Sequence, residues 1–72
     1  MSDSWEVPVF SSACRSVGYD AESSSLIVVW NSGRKSAYVG VPESTAFSLS
    51  RAGSVGRMLN DEIKPFYEHR YV

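Results

Sequence analysis

The chain has 72 residues and a mass of 8.0 kDa, which allows one small domain and leaves no room for a second. Hydrophobic residues make up 43% of it, enough for a core, and seven basic against eight acidic residues leave a net charge of −1. This balance argues against nonspecific binding of nucleic-acid phosphates as the main task, but it allows a local basic patch. With one cysteine, Cys14, and one histidine, His69, a disulfide scaffold and a four-cysteine zinc site are excluded.

No segment has the sequence of a membrane span or a signal peptide. The longest apolar run, from Leu26 to Trp30, is far shorter than the roughly 20 residues that a spanning helix needs. The first ten residues lack a basic start and an apolar centre. We therefore expect a cytoplasmic protein with no membrane contact, and we expect it to be a monomer.

The N-terminal part of the chain predicts two strands after a frayed segment, residues 1–4. In residues 5–10, apolar and polar side chains alternate, which is typical of a strand. Pro8 lacks an N–H, which confines this segment to a sheet edge or to an irregular extended stretch. Residues 13–19 can form a second extended stretch, and polar residues follow it as a turn.

The central part predicts a hairpin. Ser25–Trp30 is rich in β-branched residues and apolar on both faces, as expected of a central strand. Residues 31–34 contain Asn31 and Gly33, which tolerate the positive φ of hairpin turns. Residues 35–41 then form the returning strand, so these segments predict an antiparallel meander.

Two short helices are predicted after Pro42. The first covers residues 43–52, and in the second Val55, Leu59 and Ile63 share one face because they are four residues apart. The aromatic tail after Pro65 is expected to pack back on the domain. The predicted fold is therefore α+β, one domain over residues 5–72, with a small antiparallel meander of three to four strands packed against two C-terminal helices. Four aromatic residues are expected in the core: Tyr19, Trp30, Phe47 and Phe66.

Catalytic residues are not evident in the sequence. His69 lies in the tail and is interpreted as a solvated or packing residue, and the adjacent Asp61 and Glu62 point apart on a helix, so they cannot share a proton. Gly53 and Gly56 precede or begin a helix without the lysine of a phosphate-binding loop. We expect no enzymatic activity, no cofactor and no metal site.

The charges are unevenly distributed along the chain. Residues 3–22 carry a net charge of −3, whereas residues 34–57 carry a net charge of +3. A basic patch forms if the hairpin tip and the corner between the helices lie close together. Such a patch can bind RNA phosphates or an acidic protein surface. The alternative interpretation is that these charges only keep the protein soluble. The predicted partner-binding residues are Arg34, Lys35, Tyr38, Arg51, Val55 and Arg57.

A series of short motifs runs through the chain in a recognisable order. They are Val9-x-Ser11-Ser12, Ser16-Val17-Gly18-Tyr19-Asp20, Leu26-x-Val28-x-Trp30-x-Ser32-Gly33, Tyr38-x-Gly40-Val41-Pro42, Leu49-x-x-Ala52, Ser54-x-Gly56, Asn60 and Ile63-Lys64. With them the chain resembles the KTSC domain from about Val9 to the C-terminus. Domains of this family occur at the end of some lysyl-tRNA synthetases and as free-standing bacterial and phage proteins, and the resemblance implies RNA binding. The family's central Tyr-x-Tyr is reduced here to Ser36 and Tyr38.

The free-standing size and the balanced charge are also similar to those of a small phage-encoded transcription regulator that acts on the host's RNA polymerase. The leading hypothesis is therefore a non-catalytic, protein-binding regulator of bacterial RNA polymerase, acting by inhibition of initiation or by antitermination. The alternative is an RNA-binding accessory domain that uses the same basic patch.

Overall fold

Five antiparallel strands form one sheet in which the strand order follows the chain. The computed structural model describes residues 4–71. The strands are β1 (Trp5–Pro8), β2 (Cys14–Asp20), β3 (Ser25–Trp30), β4 (Lys35–Val39) and β5 (Glu68–Tyr71). Between β4 and β5 lie α1 (Glu43–Ser50) and α2 (Val55–Met58), which continues directly into a π-helical turn (Leu59–Ile63). The α+β prediction and the meander are confirmed.

The fifth strand corrects the predicted count of three to four. The C-terminal tail does pack back on the domain, but it does so as β5, paired with β4 so that Ser36 lies opposite Tyr71 and Val39 opposite Glu68. The sequence of β5 shows no alternation of apolar and polar residues that would predict a strand, and all four of its residues are exposed. The sheet thus extends one strand beyond the predicted hairpin.

The two helical segments cover one face of the sheet. Cross-strand pairing places Val17, Val28 and Ser36 in one row on that face, and Tyr19, Leu26 and Tyr38 in the next row. Helix α1 packs on β2. The hydroxyl of Tyr19 donates a hydrogen bond of 2.7 Å to the carbonyl oxygen of Val41, which ties the end of the sheet to the start of the helical layer. The core lies between this face and the helices.

The helical layer differs in detail from the prediction. Helix α1 ends at Ser50 rather than at residue 52. Val55, Leu59 and Ile63 are all buried, so the shared face is confirmed, but its second half is a π-helical turn. In that turn the amide of Lys64 donates to the carbonyl of Leu59.

Two of the four aromatic residues expected in the core are exposed. Phe47 is 52% exposed because Ala46 and Leu49 turn the buried side of α1 toward β2, which leaves Phe47 over Trp5 at the sheet edge. Phe66 is 72% exposed in the turn before β5. Tyr19 is buried as predicted, and Trp30 is half-buried.

Of the four N-terminal residues expected to fray, residues 1–3 lie outside the described residues. Ser4 is exposed, and its side chain contacts the turn after β2. Its hydroxyl donates to Oδ1 of Asp20 at 3.4 Å and accepts from the amide of Ala21 at 3.4 Å. Ser4 therefore belongs structurally to the edge of the sheet.

Candidate functional site

Three loops meet at the end of the sheet where the β3–β4 hairpin turns. Asn31 joins the hairpin turn to the loop between β1 and β2. Its side-chain Nδ2 donates to the carbonyl of Ser12 at 2.8 Å, and its backbone N–H donates to the carbonyl of Ala13 at 3.3 Å. The third is the corner between the helices, where Gly56 lies against Ser11 and Ala13. We call residues 10–13, 31–35 and 53–57 the loop-end surface. The hairpin tip and the helix corner thus contact the same short segment of chain.

The charged residues of the predicted partner set are exposed. Arg34 and Lys35 lie on the hairpin, and Arg57 lies in the helix corner within 3.9 Å of Asp61 in an exposed ion pair. Arg51 is exposed as well, but its guanidinium lies 5.4 Å from the ring centre of Phe47, beside α1. Three of the four cations therefore belong to the loop-end surface.

The two apolar members of that set lie in the core. Tyr38 is 2% exposed and Val55 is 4% exposed. Tyr38 follows the alternation of β4 toward the helices, and Val55 begins the buried face of α2. Neither side chain offers a partner more than a margin of its surface, so their role is to hold the surrounding residues in place.

Phe10 is a large apolar residue that the loop-end surface exposes. Its side chain is 103% exposed, as open as in an extended peptide. It borders a groove of about 650 Å³ whose walls are the serines of residues 11–12 and the Gly53–Arg57 corner. The sequence placed Phe10 at the end of the first strand, but β1 ends at Pro8 and leaves it in the connecting loop.

A second concave site lies on the helix-covered face where it reaches β4 and β5. This aromatic cavity has a volume of about 350 Å³ and is lined by Trp30, Ser36, Tyr38, Lys64, His69 and Tyr71. At its floor, Nε1 of Trp30 donates to Oγ of Ser36 at 2.7 Å, and Nε2 of His69 is hydrogen-bonded to the same oxygen at 2.7 Å. These two bonds fix the orientation of both rings.

The ring system of the cavity continues to the edge of the sheet. The rings of Tyr38 and His69 are 5.1 Å apart, and His69 and Tyr71 meet edge to face at 4.5 Å. Burial is the main cause that raises the pKa of Tyr38, and the nearby Tyr71 raises it further. The phenol of Tyr38 therefore stays neutral over the physiological pH range. This side chain adds no charge to the cavity, and Lys64 is a cation in the cavity's lining.

Sequence reasoning missed this cavity, although one signal was present. Ser36 alternates with Tyr38, so it had to face the helices, and a small polar residue at an inward position leaves space for its neighbours. The pairing of β5 that brings His69 and Tyr71 to the same place had no comparable signal.

Trp5 packs across the opposite edge of the sheet. Its ring stacks on Tyr19 at 6.3 Å and meets Phe47 edge to face at 6.3 Å, and its Nε1 donates to Glu43 at 3.0 Å. It therefore covers one end of the core.

In residues 4–71, no group of three or more His, Cys, Asp and Glu side chains is arranged to hold a metal ion. None of the helices in that part of the chain is long and apolar enough to cross a membrane. Burial raises the pKa of the Cys14 thiol, the opposite of what an activated nucleophile needs.

Comparison with known proteins gives one consistent result. The sequence pattern of the KTSC domain matches residues 10–67. An uncharacterised protein of Stutzerimonas stutzeri (strain A1501) is 40% identical over 65 residues, which is 90% of each chain. The crystal structure of a KTSC domain protein from Yersinia pestis has a TM-score of 0.86 and 30% identity, over 97% of this chain and 99% of that one. None of these comparisons supports the narrower likeness to a phage regulator.

Proposed function

The chain belongs to the KTSC domain family, and we propose that it is a non-catalytic, protein-binding regulator that contacts its partner through the loop-end surface. The observation that carries this proposal is Phe10, an aromatic side chain left wholly in solvent on that surface. A small domain gains no stability from such a residue, because burial is what makes a phenylalanine favourable. Its position is explained if a partner covers it.

The loop that holds Phe10 is braced before any partner arrives. The segment after Phe10 accepts hydrogen bonds from Asn31, and the guanidinium of Arg15 donates to the carbonyl of Asn31 at 3.0 Å. A braced loop loses little conformational entropy on binding, so more of the contact energy appears as affinity. Aromatic residues and arginine are also the types that most often dominate protein interfaces.

The cations of the loop-end surface favour an acidic partner surface. Arg34 and Lys35 form no ion pair within the described residues, and Arg57 shares only a long, exposed contact with Asp61. Cations at the edge of an interface speed association and orient the partner more than they add affinity. We therefore assign anchoring to Phe10, and steering to Arg34, Lys35 and Arg57.

Bacterial RNA polymerase is the partner that we propose, on the ground of the size and balanced charge that this chain shares with a phage regulator of that enzyme. A rigid domain of this size would act by covering a functional surface of the polymerase, by competing with an initiation factor, or by remaining bound and opposing termination.

The test is direct binding of the protein to immobilised, nucleic-acid-free RNA polymerase. We expect Phe10→Ala to weaken binding at least about tenfold, or about 1.4 kcal/mol, as for an interface anchor. Phe66→Ala is the matched control, because Phe66 is also exposed but lies outside the loop-end surface. Equal binding by wild type and Phe10→Ala would show that the loop-end surface is not the interface, and no binding by the wild type would exclude the polymerase.

RNA remains the alternative partner, favoured by one observation: Arg34 and Lys64 lie over aromatic rings, a combination common in single-strand binders. Affinity for RNA would fall about tenfold to a thousandfold between roughly 50 and 200 mM salt, for a few phosphate contacts. A protein interface anchored by Phe10 would change far less. A pull-down from bacterial lysate, with and without nuclease, gives a second readout, because polymerase retained after nuclease would not depend on RNA.

A further inference from the structure

The aromatic cavity is a preformed site, and none of the residues that line it belongs to the loop-end surface, although Arg34 of that surface lies beside the cavity residue Tyr71. Its volume of about 350 Å³ is at the lower end of the range of small-molecule pockets. Its floor is held by the two hydrogen bonds that converge on Oγ of Ser36, from Trp30 and from His69. A ligand would therefore meet ring surfaces whose positions are already fixed, which lowers the cost of binding.

Two cations lie beside aromatic rings that border the cavity, Lys64 in its lining and Arg34 next to Tyr71. The ammonium of Lys64 lies 5.5 Å from the ring centre of Trp30, and the guanidinium of Arg34 lies 5.7 Å from that of Tyr71. Among the described residues, neither cation is within ion-pair distance of a carboxylate. None of the described residues that line the cavity is acidic. The preferred ligand is therefore an anion.

A second cavity adjoins the first and shares Tyr71 as a common wall. It has a volume of about 410 Å³ and is lined by Gly33, Arg34, Lys35 and Tyr71. One side of Tyr71 thus borders a space with aromatic walls, and the neighbouring space borders two cations. A ligand that fits both has a planar ring at one end and an anionic group at the other.

We propose that the aromatic cavity binds a nucleoside monophosphate. The base lies against the rings of Trp30, His69 and Tyr71, where stacking does not depend on base identity. The phosphate lies by Lys64 and Arg34, which hold it by charge-assisted hydrogen bonds. A free nucleotide and the terminal nucleotide of an RNA strand present the same ring and phosphate, so both are sources of this ligand.

The proposal is tested by titrating the protein with AMP and following the fluorescence of Trp30. Trp5→Phe serves as the background, because Trp30 is then the only tryptophan of the chain and its signal reports the cavity alone. We expect saturable quenching by AMP. Adenosine, which lacks the phosphate, and ribose 5-phosphate, which lacks the base, should each bind at least about fivefold more weakly.

Variants of the lining locate the site. Lys64→Met keeps the aliphatic stem and removes the charge, so it should weaken the binding of AMP about fivefold. The control is Arg57→Met on the loop-end surface, which should leave AMP binding unchanged. Ser36→Tyr places a ring in the cavity and should abolish saturable quenching. Because the family pattern usually has tyrosine at this position, we expect this variant to fold, and its cooperative unfolding confirms that.

The outcomes that overturn the proposal are specific. Absence of saturable quenching at millimolar AMP excludes the site. Equal affinity for AMP and ribose 5-phosphate excludes the base contact, and equal affinity for AMP and adenosine excludes the phosphate contact. Equal weakening by Lys64→Met and Arg57→Met shows only general electrostatic attraction. A 5′-phosphorylated oligoadenylate that binds more tightly than AMP identifies an RNA end as the ligand, whereas equal or weaker binding identifies the free nucleotide.

Discussion

Replacing Gly18 with alanine tests how tightly the edge strand β1 lies against β2. Gly18 is buried in β2, between Glu6 of β1 and Ile27 of β3. A Cβ atom at this position would lie 2.6 Å from the carbonyl oxygen of Trp5 and 3.3 Å from Cα of Glu6. Real Cβ atoms essentially never approach another heavy atom within 3.0 Å. Both neighbours are backbone atoms, so β1 itself has to move.

The expected cost follows from this clash. Overpacking that forces a backbone shift costs about 1–3 kcal/mol, and the lower chain entropy of alanine in the unfolded state returns about 0.4–1 kcal/mol. A net loss of about 1–2 kcal/mol in a domain of this size lowers Tm by roughly 5–15 °C. Thermal and urea unfolding, followed by circular dichroism, measure both quantities.

Gly53→Ala is the matched control. A Cβ atom on Gly53 meets nothing within 4 Å, and its φ is not in the left-handed region. The same gain in unfolded-state entropy applies, so Gly53→Ala should unfold at or slightly above the wild-type temperature. If Gly18→Ala unfolds at the same temperature as this control, β1 does not depend on the close approach at Gly18, and the reasoning is wrong.

Three further predictions concern the core. Tyr19→Phe removes the hydroxyl that donates to the buried carbonyl of Val41 and should lower the free energy of unfolding in urea by about 1–3 kcal/mol. A loss below about 0.5 kcal/mol would show that water replaces the hydroxyl. The Cys14 thiol is buried, and its raised pKa keeps it neutral, so a disulfide reagent should label it rapidly in urea and very slowly in the native protein; fast native labelling would contradict its burial. Burial raises the pKa of both Cys14 and Tyr38 in the folded state, so the unfolded chain ionises first. The contribution of these two groups to stability should therefore be constant below the ordinary thiol pKa of 9.0 and should decrease as the pH rises above it. Cys14→Ala should remove the first part of this decrease. Urea midpoints that do not change above pH 9.0 would refute the reasoning.

The sequence predicted the strands in which one face is apolar and the other polar, and the strand that is buried on both faces. Ser25–Trp30 is confirmed with the same bounds, because a central strand is paired on both sides and its β-branched residues are packed on both faces. β5 is paired on one side only, and its residues are all exposed, so neither burial nor alternation marked it. Its position depends on contacts with β4, more than 28 residues earlier in the chain, and local propensity contains no information about such pairing.

The sequence predicted the exposed charged residues of the candidate site but not its apolar residues. Arg34, Lys35 and Arg57 are exposed, as charged residues in loops and on helix surfaces generally are. Tyr38 was predicted to bind a partner because tyrosine, like arginine, is a typical interface anchor, yet the alternation of β4 places it under the helices. Phe10 could not be found by pattern, since a wholly exposed phenylalanine departs from the burial preference on which such patterns rest.

The aromatic cavity lies beside helix α1, which is narrower than the sheet. Five strands at a spacing of about 4.8 Å span about 19 Å, whereas one helix is about 10 Å wide and the eight residues of α1 reach only about 12 Å. Helix α1 packs on β2, and the cavity is bordered by side chains of β3, β4 and β5 and by Lys64, which follows the π-helical turn. With a serine at position 36, they leave a space there.

Ser36 therefore separates the two proposals. Ser36→Tyr fills the aromatic cavity and leaves Phe10 and its braced loop unchanged, so it should lose AMP and keep the polymerase. Phe10→Ala should do the opposite, because Phe10 is not part of the cavity lining. Measuring both ligands on both variants gives four affinities, and only this crossed pattern supports two independent sites. If each variant loses both ligands while still unfolding cooperatively, the loop-end surface and the cavity act as one site, and the assignment of separate partners to them is wrong.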